Sequence, residues 1–155
     1  MSDCIFCRIL AGEIPSTRLY EDDRVVAFLD VNPMAPGHAL VVPRRHWTDL
    51  ASVPAGAAAS AEDLETRAAL FEAVRLLSAA AVRAFGGGAN LLQCTGVEGG
   101  QTVPHLHFHV IPRAPGGSVP PAFESGAARY ASDAERDAVA ARFRAAIEAL
   151  RAEGR

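Results

Sequence analysis

Hydrophobic and polar positions in the first third of the chain follow the pattern of short strands. The segments RLY (18–20) and VVAFLDV (25–31) lie on either side of the acidic turn EDD, and HALVV (38–42) follows the Pro/Gly-rich NPMAPG. Two more strands are predicted at NLLQC (90–94) and HLHFHVI (105–111), joined by TGVEGGQTVP. Hairpin-type connections of this kind predict an antiparallel sheet.

From Ser60 onward the apolar spacing changes to that of a helix. Ser60 and Asp63 form a capping box, and the helix is expected to run to the GGG at 86–88. Its apolar stripe consists of Leu70, Val74, Leu77 and Ala81. A last helix is predicted from Ser132, with Glu135 in its capping box, to a stop near Gly154. Its stripe consists of Val139, Phe143, Ile147 and Leu150.

Strands in two groups around a long helix predict an α+β fold with an antiparallel sheet. A chain of 155 residues is the right size for one domain. We expect the motif-bearing body at 1–113, a Pro/Gly-rich loop at 114–131 and the C-terminal helix at 132–155. The pattern leaves open whether this helix covers its own sheet or contacts a partner subunit.

Composition and charge narrow the range of partners. The formal net charge is -3 and there is no basic cluster, so a nucleic-acid partner is not expected. No apolar run approaches the roughly 18 residues of a membrane span, and MSDCIFCRIL does not resemble a secretory leader. These features predict a cytoplasmic protein whose ligands are small molecules.

Three of the five histidines stand at alternate positions in PHLHFHVIPR, residues 104–113. In a strand, His105, His107 and His109 share one face and the apolar residues between them fill the core side. The outer pair would lie about 13 Å apart, so one ion bound at about 2 Å can take two of the three at most. At least one imidazole therefore has another task, and neutral imidazole is a good nucleophile toward phosphorus.

The residues before the histidines suit an anionic substrate. In GGQTV the two glycines let backbone N–H groups approach a phosphate, and the Gln101 amide and Thr102 hydroxyl are further donors. The pair Cys4 and Cys7 is typical of a metal site or a redox pair, and the spacing alone does not choose between them. Reduced, buried thiols that pack like small hydrophobic residues are the remaining alternative.

These motifs together resemble a known family. GGQTVPHLHFHVI resembles the signature of the histidine triad (HIT) superfamily, and CIFCRILAGEIPSTRLYEDDRVVAFLDVNPMAPGHALVVPRRH resembles the rest of its conserved body, so the resemblance covers about residues 4–113. It implies a HIT-like fold with a five-stranded antiparallel sheet, in a homodimer that joins two such sheets. It also implies attack on the α-phosphate of a nucleotide and release of a nucleoside monophosphate.

Catalytic roles follow from the same resemblance. His107 matches the nucleophile, and a backbone carbonyl near His105 would hold its other ring nitrogen. His109 matches the histidine that donates to the phosphate oxygens, with Gln101 and Thr102 beside it. Holding one ring nitrogen in this way would fix the tautomer of the nucleophile.

The resemblance also implies the remaining substrate contacts. His38 matches a fourth histidine that lines the site, without a defined acid or base role, and Asp30 matches the residue that binds the ribose hydroxyls. The apolar pocket for adenine or another purine would consist of Phe6, Ile9, Ile14, Phe28 and Val31. Cys94 stands where relatives often carry Asn or Gln, so the resemblance does not define the leaving group.

A structural zinc ion is implied by relatives with a CxxC at this place, and no organic cofactor is expected. The ligands would be Cys4, Cys7, His46 and His105. Two thiolates and two imidazoles make a closed tetrahedral shell, which is typical of a structural site. Such a site would leave His107 and His109 for the substrate.

The leading hypothesis is a hydrolase or nucleotidyl transferase acting on phosphoramidates, mixed anhydrides or dinucleoside polyphosphates. A nucleotide-binding regulatory or scaffold protein with little catalysis is the alternative, and a zinc-dependent hydrolase is a third. Removal of zinc separates the last from the first, because loss of a structural ion harms the fold itself.

Overall fold

The structure is a computed structural model that describes residues 3–116, 126 and 128–154. Most of the loop predicted at 114–131 therefore lies outside the described residues. The described chain contains three α-helices: α1 (Ile5–Leu10), α2 (Ala61–Phe85) and α3 (Asp133–Ala152), with a short 3-10 turn at Gly56–Ala58. None of the described helices is both long and apolar enough to cross a membrane.

Five strands form a single antiparallel sheet, which confirms the predicted α+β class. The strands are β1 (Arg18–Glu21), β2 (Val25–Leu29), β3 (Ala39–Pro43), β4 (Gly88–Leu92) and β5 (Phe108–Arg113). Their order in the sheet is β1-β2-β3-β5-β4. The first three follow one another as a meander, and β5 inserts between β3 and β4. The pairing of β3 with β2 and with β5 brings the end of β2, the start of β3 and the start of β5 close together.

Both long helices begin where the sequence predicts. The Ser60 hydroxyl accepts from Asp63 N–H and the Asp63 carboxylate accepts from Ser60 N–H, a complete capping box at the start of α2. The helix ends at Gly86, which has a left-handed φ of 77°. Ser132 caps α3 by accepting from Glu135 N–H, whereas Glu135 reaches back to the N–H of Ala131.

The sheet is buried on both faces, and the two faces have different partners. Val25, Ala27 and Leu29 of β2 pack in the core formed with α2 and α3. Val26 and Phe28, between them, pack with α1 on the opposite face. Successive side chains of a strand point to opposite faces. In β2 the odd-numbered residues therefore point to the helix side and the even-numbered residues to the α1 side.

Helix α3 covers its own sheet, which resolves the choice that the sequence left open. It packs along α2 and against β1, and Phe143, Ile147 and Leu150 are at most 3% exposed. Val139, the other predicted stripe residue, is partly buried in the same core. The stripe is therefore buried within the chain itself.

Helix α1 is missing from the sequence predictions. It has only six residues, of which Phe6 and Ile9 are buried. Six residues are too few to show a helical period. Its role in the fold is to cover the second face of the sheet, where the candidate site lies.

All five predicted strands exist with different boundaries: β1 and β3 differ by one residue, β2 ends at Leu29 and not at 31, and β4 and β5 are shifted by two or three residues. The strand predicted at 90–94 runs from Gly88 to Leu92, because Gly88 already pairs with Arg113 of β5. The strand predicted from His105 begins at Phe108, because the preceding backbone bonds elsewhere, as in the 2.6 Å bond from Leu106 N–H to the Trp47 carbonyl. The predicted sidedness nevertheless holds: the apolar residues Leu106, Phe108 and Val110 all belong to the helix-side core.

Candidate active site and metal centre

Three strand ends bring the polar side chains of the site together on the α1 face. Asp30 directly follows β2 and His38 directly precedes β3, and Asp30 N–H donates to the His38 carbonyl at 2.9 Å. His109 lies in β5 opposite Leu40 of β3. Side chains directly opposite one another in an antiparallel pair point to the same face. Because Leu40 packs on the α1 face, the His109 side chain also points to the α1 face. Sheet pairing thus joins residues that are 71 positions apart in sequence.

His107 is held by a single backbone contact that defines its tautomer. Its Nδ1 lies 2.7 Å from the His105 carbonyl, and a carbonyl only accepts, so Nδ1 carries the hydrogen. Nε2 is therefore left with the lone pair. The edge of the Phe6 ring packs against the imidazole at a centroid distance of 5.1 Å, and only 4% of His107 is exposed. The ring is fixed with its basic nitrogen at a known position.

A chain of hydrogen bonds defines the tautomers of His38 and His109. Met34 N–H donates to His38 Nδ1 at 3.1 Å, so the His38 hydrogen lies on Nε2. That nitrogen lies 2.9 Å from His109 Nδ1 and donates to it, so His109 carries its own hydrogen on Nε2. The Asp30 carboxylate lies 3.6 Å from His38 Nδ1. These hydrogen bonds leave His109 as the donor of its Nε2–H. The separate bond of His107 to the His105 carbonyl leaves His107 Nε2 as an acceptor.

Burial keeps these imidazoles neutral. The pKa of His107 is lowered because desolvation outweighs its bond to the His105 carbonyl and the attraction of Asp30. Desolvation, together with His107 and His38, lowers the pKa of His109 to about 3. The pKa of His38 is lowered mainly by desolvation, against the attraction of Asp30. A neutral His107 is the form that can act as a nucleophile.

A cleft of about 1450 Å³ opens beside these histidines. His107 and His109 line it together with Asp30, Thr102 and Cys94. All the residues predicted for the base pocket line it too: Phe6, Ile9, Ile14, Phe28 and Val31. Their exposure differs, since Phe6 and Phe28 are at most 6% exposed whereas Val31 is 86% exposed. The two phenylalanines therefore form the floor of the cleft, and Val31 lies at its rim.

Gln101 has a different role from the predicted phosphate donor. Its Nε2 donates to the carbonyls of Thr48 and Val103 at 2.7 and 2.9 Å, and its Oε1 accepts from Gly96 N–H at 2.9 Å. An amide nitrogen has two hydrogens, so neither is left for a phosphate. Gln101 holds the loop before the histidines in shape, whereas the exposed Thr102 lines the cleft as predicted.

The glycine pair also does not present its amides to the cleft as predicted. Gly99 N–H donates to the Gly96 carbonyl at 3.2 Å and Gly100 N–H donates to the Val97 carbonyl at 2.9 Å. A Cβ atom on Gly99 would lie 2.4 Å from the Thr95 carbonyl oxygen. The loop needs glycine here because its own backbone packs so closely, and both N–H groups are used inside it.

The second polar cluster contains the four residues predicted to bind zinc. The ligand atoms of Cys4, Cys7, His46 and His105 all lie within 4.8 Å of one another. His105 Nδ1 is 3.4 Å from the sulfur of Cys4 and 3.5 Å from that of Cys7, and His46 Nδ1 is 3.2 Å from the Cys7 sulfur. Sulfur and nitrogen ligands of one tetrahedral zinc ion lie about 3.6 Å apart. The four residues therefore fit a zinc ion.

Local structure orients these ligands. Cys4 is the N-cap of α1 and Cys7 lies one turn later, so both sulfurs are on the same side of the helix. His105 Nε2 donates to the Pro43 carbonyl at 2.9 Å, which leaves Nδ1 with the lone pair. The pKa of His105 is lowered to about 4, chiefly by burial, so the imidazole is in its ligating form.

Sequence reasoning missed one wall of the cleft. Arg129, Tyr130 and Arg136 line it from the C-terminal part of the chain. No motif marks them, because they lie in and after the Pro/Gly-rich segment whose course the sequence did not predict. Met34, which orients His38 through its backbone N–H, was also missed, since a main-chain donor leaves no trace in the residue type.

Comparisons with known proteins agree with this geometry. The family model described as HIT domain matches residues 11–116. The chain resembles the crystal structure of a zinc-bound histidine triad family protein from Mycobacterium smegmatis, with a TM-score of 0.80 and 31% identity over 97% of each chain. This likeness extends over both the sheet and α3.

Two characterised relatives are also similar in sequence. An adenylylsulfatase of Arabidopsis thaliana, HINT3, is 40% identical over 113 residues, which is 72% of this chain and 53% of that protein. The adenosine 5′-monophosphoramidase HNT1 of Saccharomyces cerevisiae is 39% identical over 110 residues, 71% of this chain and 62% of that protein. The family match and these identities show that the chain belongs to the HIT domain family.

Proposed function

We propose that this chain is a nucleotide hydrolase or nucleotidyl transferase in which His107 attacks the α-phosphate of an adenylated substrate. The observation that carries the proposal is the fixed tautomer of His107. Its Nδ1–H is bound to the His105 carbonyl at 2.7 Å, so Nε2 is the basic nitrogen, and the residue lines the cleft. The named activities of the plant and yeast relatives, on adenylyl sulfate and on a phosphoramidate, support this class of reaction.

The reaction has two displacement steps. In the first, the His107 Nε2 lone pair forms a bond to the α-phosphorus while the bond from phosphorus to the leaving group breaks. The leaving group departs with that electron pair, as sulfate or a nucleotide phosphate, or as ammonia after taking up a proton. In the second, water attacks the nucleotidyl-histidine, the phosphorus–nitrogen bond breaks, and the products are a nucleoside monophosphate, a neutral imidazole and a proton.

The other residues of the cleft support these steps. His109 donates its Nε2–H to the phosphate oxygens as negative charge develops, and Thr102 supplies a hydroxyl donor. Asp30 accepts hydrogen bonds from the ribose hydroxyls. The apolar floor built on Phe6 and Phe28 binds the base, for which we propose adenine or another purine. His38 keeps His109 in the donating tautomer.

We propose a structural zinc ion at the Cys4, Cys7, His46 and His105 site. Bound there, the ion would supply a cross-link between α1, the segment after β3 and the segment before β5, and its four protein ligands would leave no open position for a substrate. A thiolate pair of this kind requires a reducing compartment, which supports a cytoplasmic location. We propose no organic cofactor and no nucleic-acid or membrane partner.

We also propose that the chain forms the homodimer implied by the family resemblance. Strand β4 is an edge of the described sheet and pairs only with β5 there. Leu91 in this strand is 52% exposed. An edge strand with an exposed leucine is a template for a second copy. Light scattering during gel filtration, with Leu91→Lys as the disrupting variant, tests this interface.

A single-turnover experiment tests the enzymatic proposal. Enzyme in excess is mixed with an adenylated substrate labelled at the α-phosphate and quenched in alkali, in which a phosphorus–histidine bond survives. The proposal predicts transient label on the protein, which disappears as labelled nucleoside monophosphate forms. His107→Asn, which keeps an N–H near the position of Nδ1, should bind substrate without becoming labelled, and a Thr102→Val control should still become labelled.

The alternatives predict other outcomes. A binding or scaffold protein would bind nucleotide, leave it intact and never become labelled. A zinc-dependent hydrolase would release product without labelled protein and would lose activity to a chelator without unfolding. Normal turnover by His107→Asn would refute the proposed function.

A further inference from the structure

The C-terminal part of the chain forms one wall of the cleft that His107 and His109 also line. The residues of this wall are Arg129, Tyr130, Ala131, Ser132, Asp133 and Arg136. They come from the segment before α3 and from the first turn of that helix. Because α3 is anchored in the helix-side core, with Phe143 completely buried, the wall belongs to the same subunit as the histidines.

Three hydrogen bonds attach this segment to the loop between Asp30 and His38. Gly126 N–H donates to the Asn32 carbonyl at 2.9 Å, and Ala128 N–H donates to the Pro33 carbonyl at 3.0 Å. Gly37 N–H donates to the Tyr130 hydroxyl oxygen at 3.0 Å. These bonds on both sides of Arg129 fix the backbone that carries it at the edge of the cleft.

The loop that receives these bonds is itself confined. Gly37 has a φ of +84°, and a Cβ atom there would lie 2.4 Å from the Phe85 ring. Burial raises the pKa of Tyr130, so the hydroxyl stays neutral and can accept the Gly37 bond throughout the physiological pH range. The wall is therefore held close to His38 without an ionic contact.

Charge pairing differs between the two arginines of the wall. Arg136 contacts the carboxylates of Asp133 at 2.8 Å and Asp137 at 3.3 Å, so its charge is compensated. Arg129 is exposed, and none of the described carboxylates lies within ion-pair distance of it. The Arg129 side chain lies near Gly126, since an added Cβ there would be 3.7 Å from the Arg129 Nε. Among the described residues of the wall, Arg129 is thus the arginine without a paired carboxylate.

We propose that Arg129 binds the anionic leaving group of the substrate and makes the cleft selective for adenylates that end in sulfate or phosphate. The inference rests on the proposed function, since it concerns the group displaced from the α-phosphorus. As that bond breaks, negative charge moves onto the leaving oxygen, and a guanidinium stabilises it electrostatically and by paired N–H donors. A leaving amine gains no such stabilisation, because it departs as a neutral molecule.

The test compares two substrates that share the adenylyl group. Adenosine 5′-phosphosulfate loses sulfate, and adenosine 5′-phosphoramidate loses ammonia. Arg129→Ala should lower kcat/KM for the phosphosulfate about tenfold, the size expected for one charge pair at the surface, and should change that for the phosphoramidate less than about twofold. Arg129→Lys should retain most of the activity, and 0.5 M salt should reduce the difference.

A matched control and a binding measurement separate the outcomes. Arg67→Ala removes an exposed arginine of α2 that does not line the cleft and should leave the substrate ratio unchanged. Calorimetry measures the binding of AMP and ADP without turnover. Arg129→Ala should weaken the binding of ADP about tenfold more than the binding of AMP. Equal losses for both substrates and both nucleotides, or no loss at all, would overturn the inference. Absence of turnover by the parent protein would instead count against the proposed function.

Discussion

Two histidine clusters lie side by side on one face of the sheet, and they expose opposite ring nitrogens. In the candidate metal centre, His105 donates Nε2–H to the Pro43 carbonyl and presents Nδ1 to the cysteines. Two residues later, His107 donates Nδ1–H to the His105 carbonyl and presents Nε2 to the cleft. The residue type is the same and the burial is similar. The difference lies in which backbone carbonyl each ring meets.

This comparison shows how one short stretch supports two kinds of chemistry. A carbonyl fixes the hydrogen on one nitrogen, and the other nitrogen then has the lone pair for zinc or for phosphorus. Burial reinforces both assignments, since it lowers the pKa of His105 to about 4 and also lowers that of His107. Substitutions at the two positions should therefore have separable effects.

The largest effect is expected from removing the nucleophile. His107→Asn should lower kcat by about four orders of magnitude, because loss of a covalent nucleophile removes the whole two-step path. The zinc content and the melting temperature should stay close to those of the parent protein. Steady-state kinetics and metal analysis on the same sample measure both. A large loss of zinc in this variant would mean that the two clusters are not separable.

Removing a metal ligand should have the opposite profile. Cys7→Ser should lose zinc and lower the free energy of unfolding by about 4 kcal/mol where free zinc exceeds its dissociation constant about 1,000-fold. Activity should fall only as far as the fold is lost. Thermal unfolding with and without a chelator measures this, and Cys94→Ser is the matched control. Loss of activity at an unchanged melting temperature would contradict a structural role.

A smaller effect is expected from the ribose contact. Asp30→Asn should raise KM for an adenylate between about 10- and 100-fold, since hydrogen bonds to a charged group contribute about 1.5–3 kcal/mol. The same variant should not affect a 2′,3′-dideoxy substrate, which has no hydroxyls for Asp30 to bind. Equal losses on the two substrates would show instead that Asp30 acts through its contact with His38.

The smallest effect concerns pH and stability. Burial lowers the pKa of His38 below 6.5, against the attraction of Asp30 and with the repulsion of Arg113 and His107. His38 in the unfolded chain then binds a proton more tightly than His38 in the folded chain. The contribution of neutral His38 to stability is therefore complete above about pH 6.5 and is lost as the pH falls below that value. His38→Gln, which keeps a donor toward His109, should reduce this acid slope by up to about 1.4 kcal/mol per pH unit. Urea titrations at several pH values measure this slope. The same dependence of the free energy of unfolding on pH in His38→Gln and in the parent protein would contradict the role of His38.

Much of the fold and of the site could be predicted from sequence. The complete capping box at Ser60 and the strand alternation have local causes and are present as predicted. At Ser132 only the hydroxyl half of the predicted box forms, because the Glu135 carboxylate accepts from Ala131 N–H and not from Ser132 N–H. The four predicted metal ligands meet, and the residues predicted for the base pocket line one cleft. Residue types at fixed spacing were sufficient for these features.

Features that depend on main-chain partners could not be predicted. The Gln101 amide was expected at the phosphate, but three backbone groups, those of Thr48, Gly96 and Val103, occupy it. The strand predicted to contain all three histidines begins at Phe108, after His105 and His107, where Leu106 N–H bonds to the Trp47 carbonyl instead of continuing the ladder. Arg129 reaches the cleft through contacts between segments almost a hundred residues apart. None of these contacts leaves a signal in the local pattern.

The most direct test of the account is to locate the phosphorus on the protein. The chain is prepared with 15N-labelled histidine, reacted with adenylated substrate and quenched in alkali, and the coupling between 31P and 15N is measured by NMR, with peptide mapping for the position. We expect one modified residue, His107, with phosphorus bonded to Nε2. A bond to Nδ1, a modified His105 or His109, or turnover without any modified histidine would contradict it.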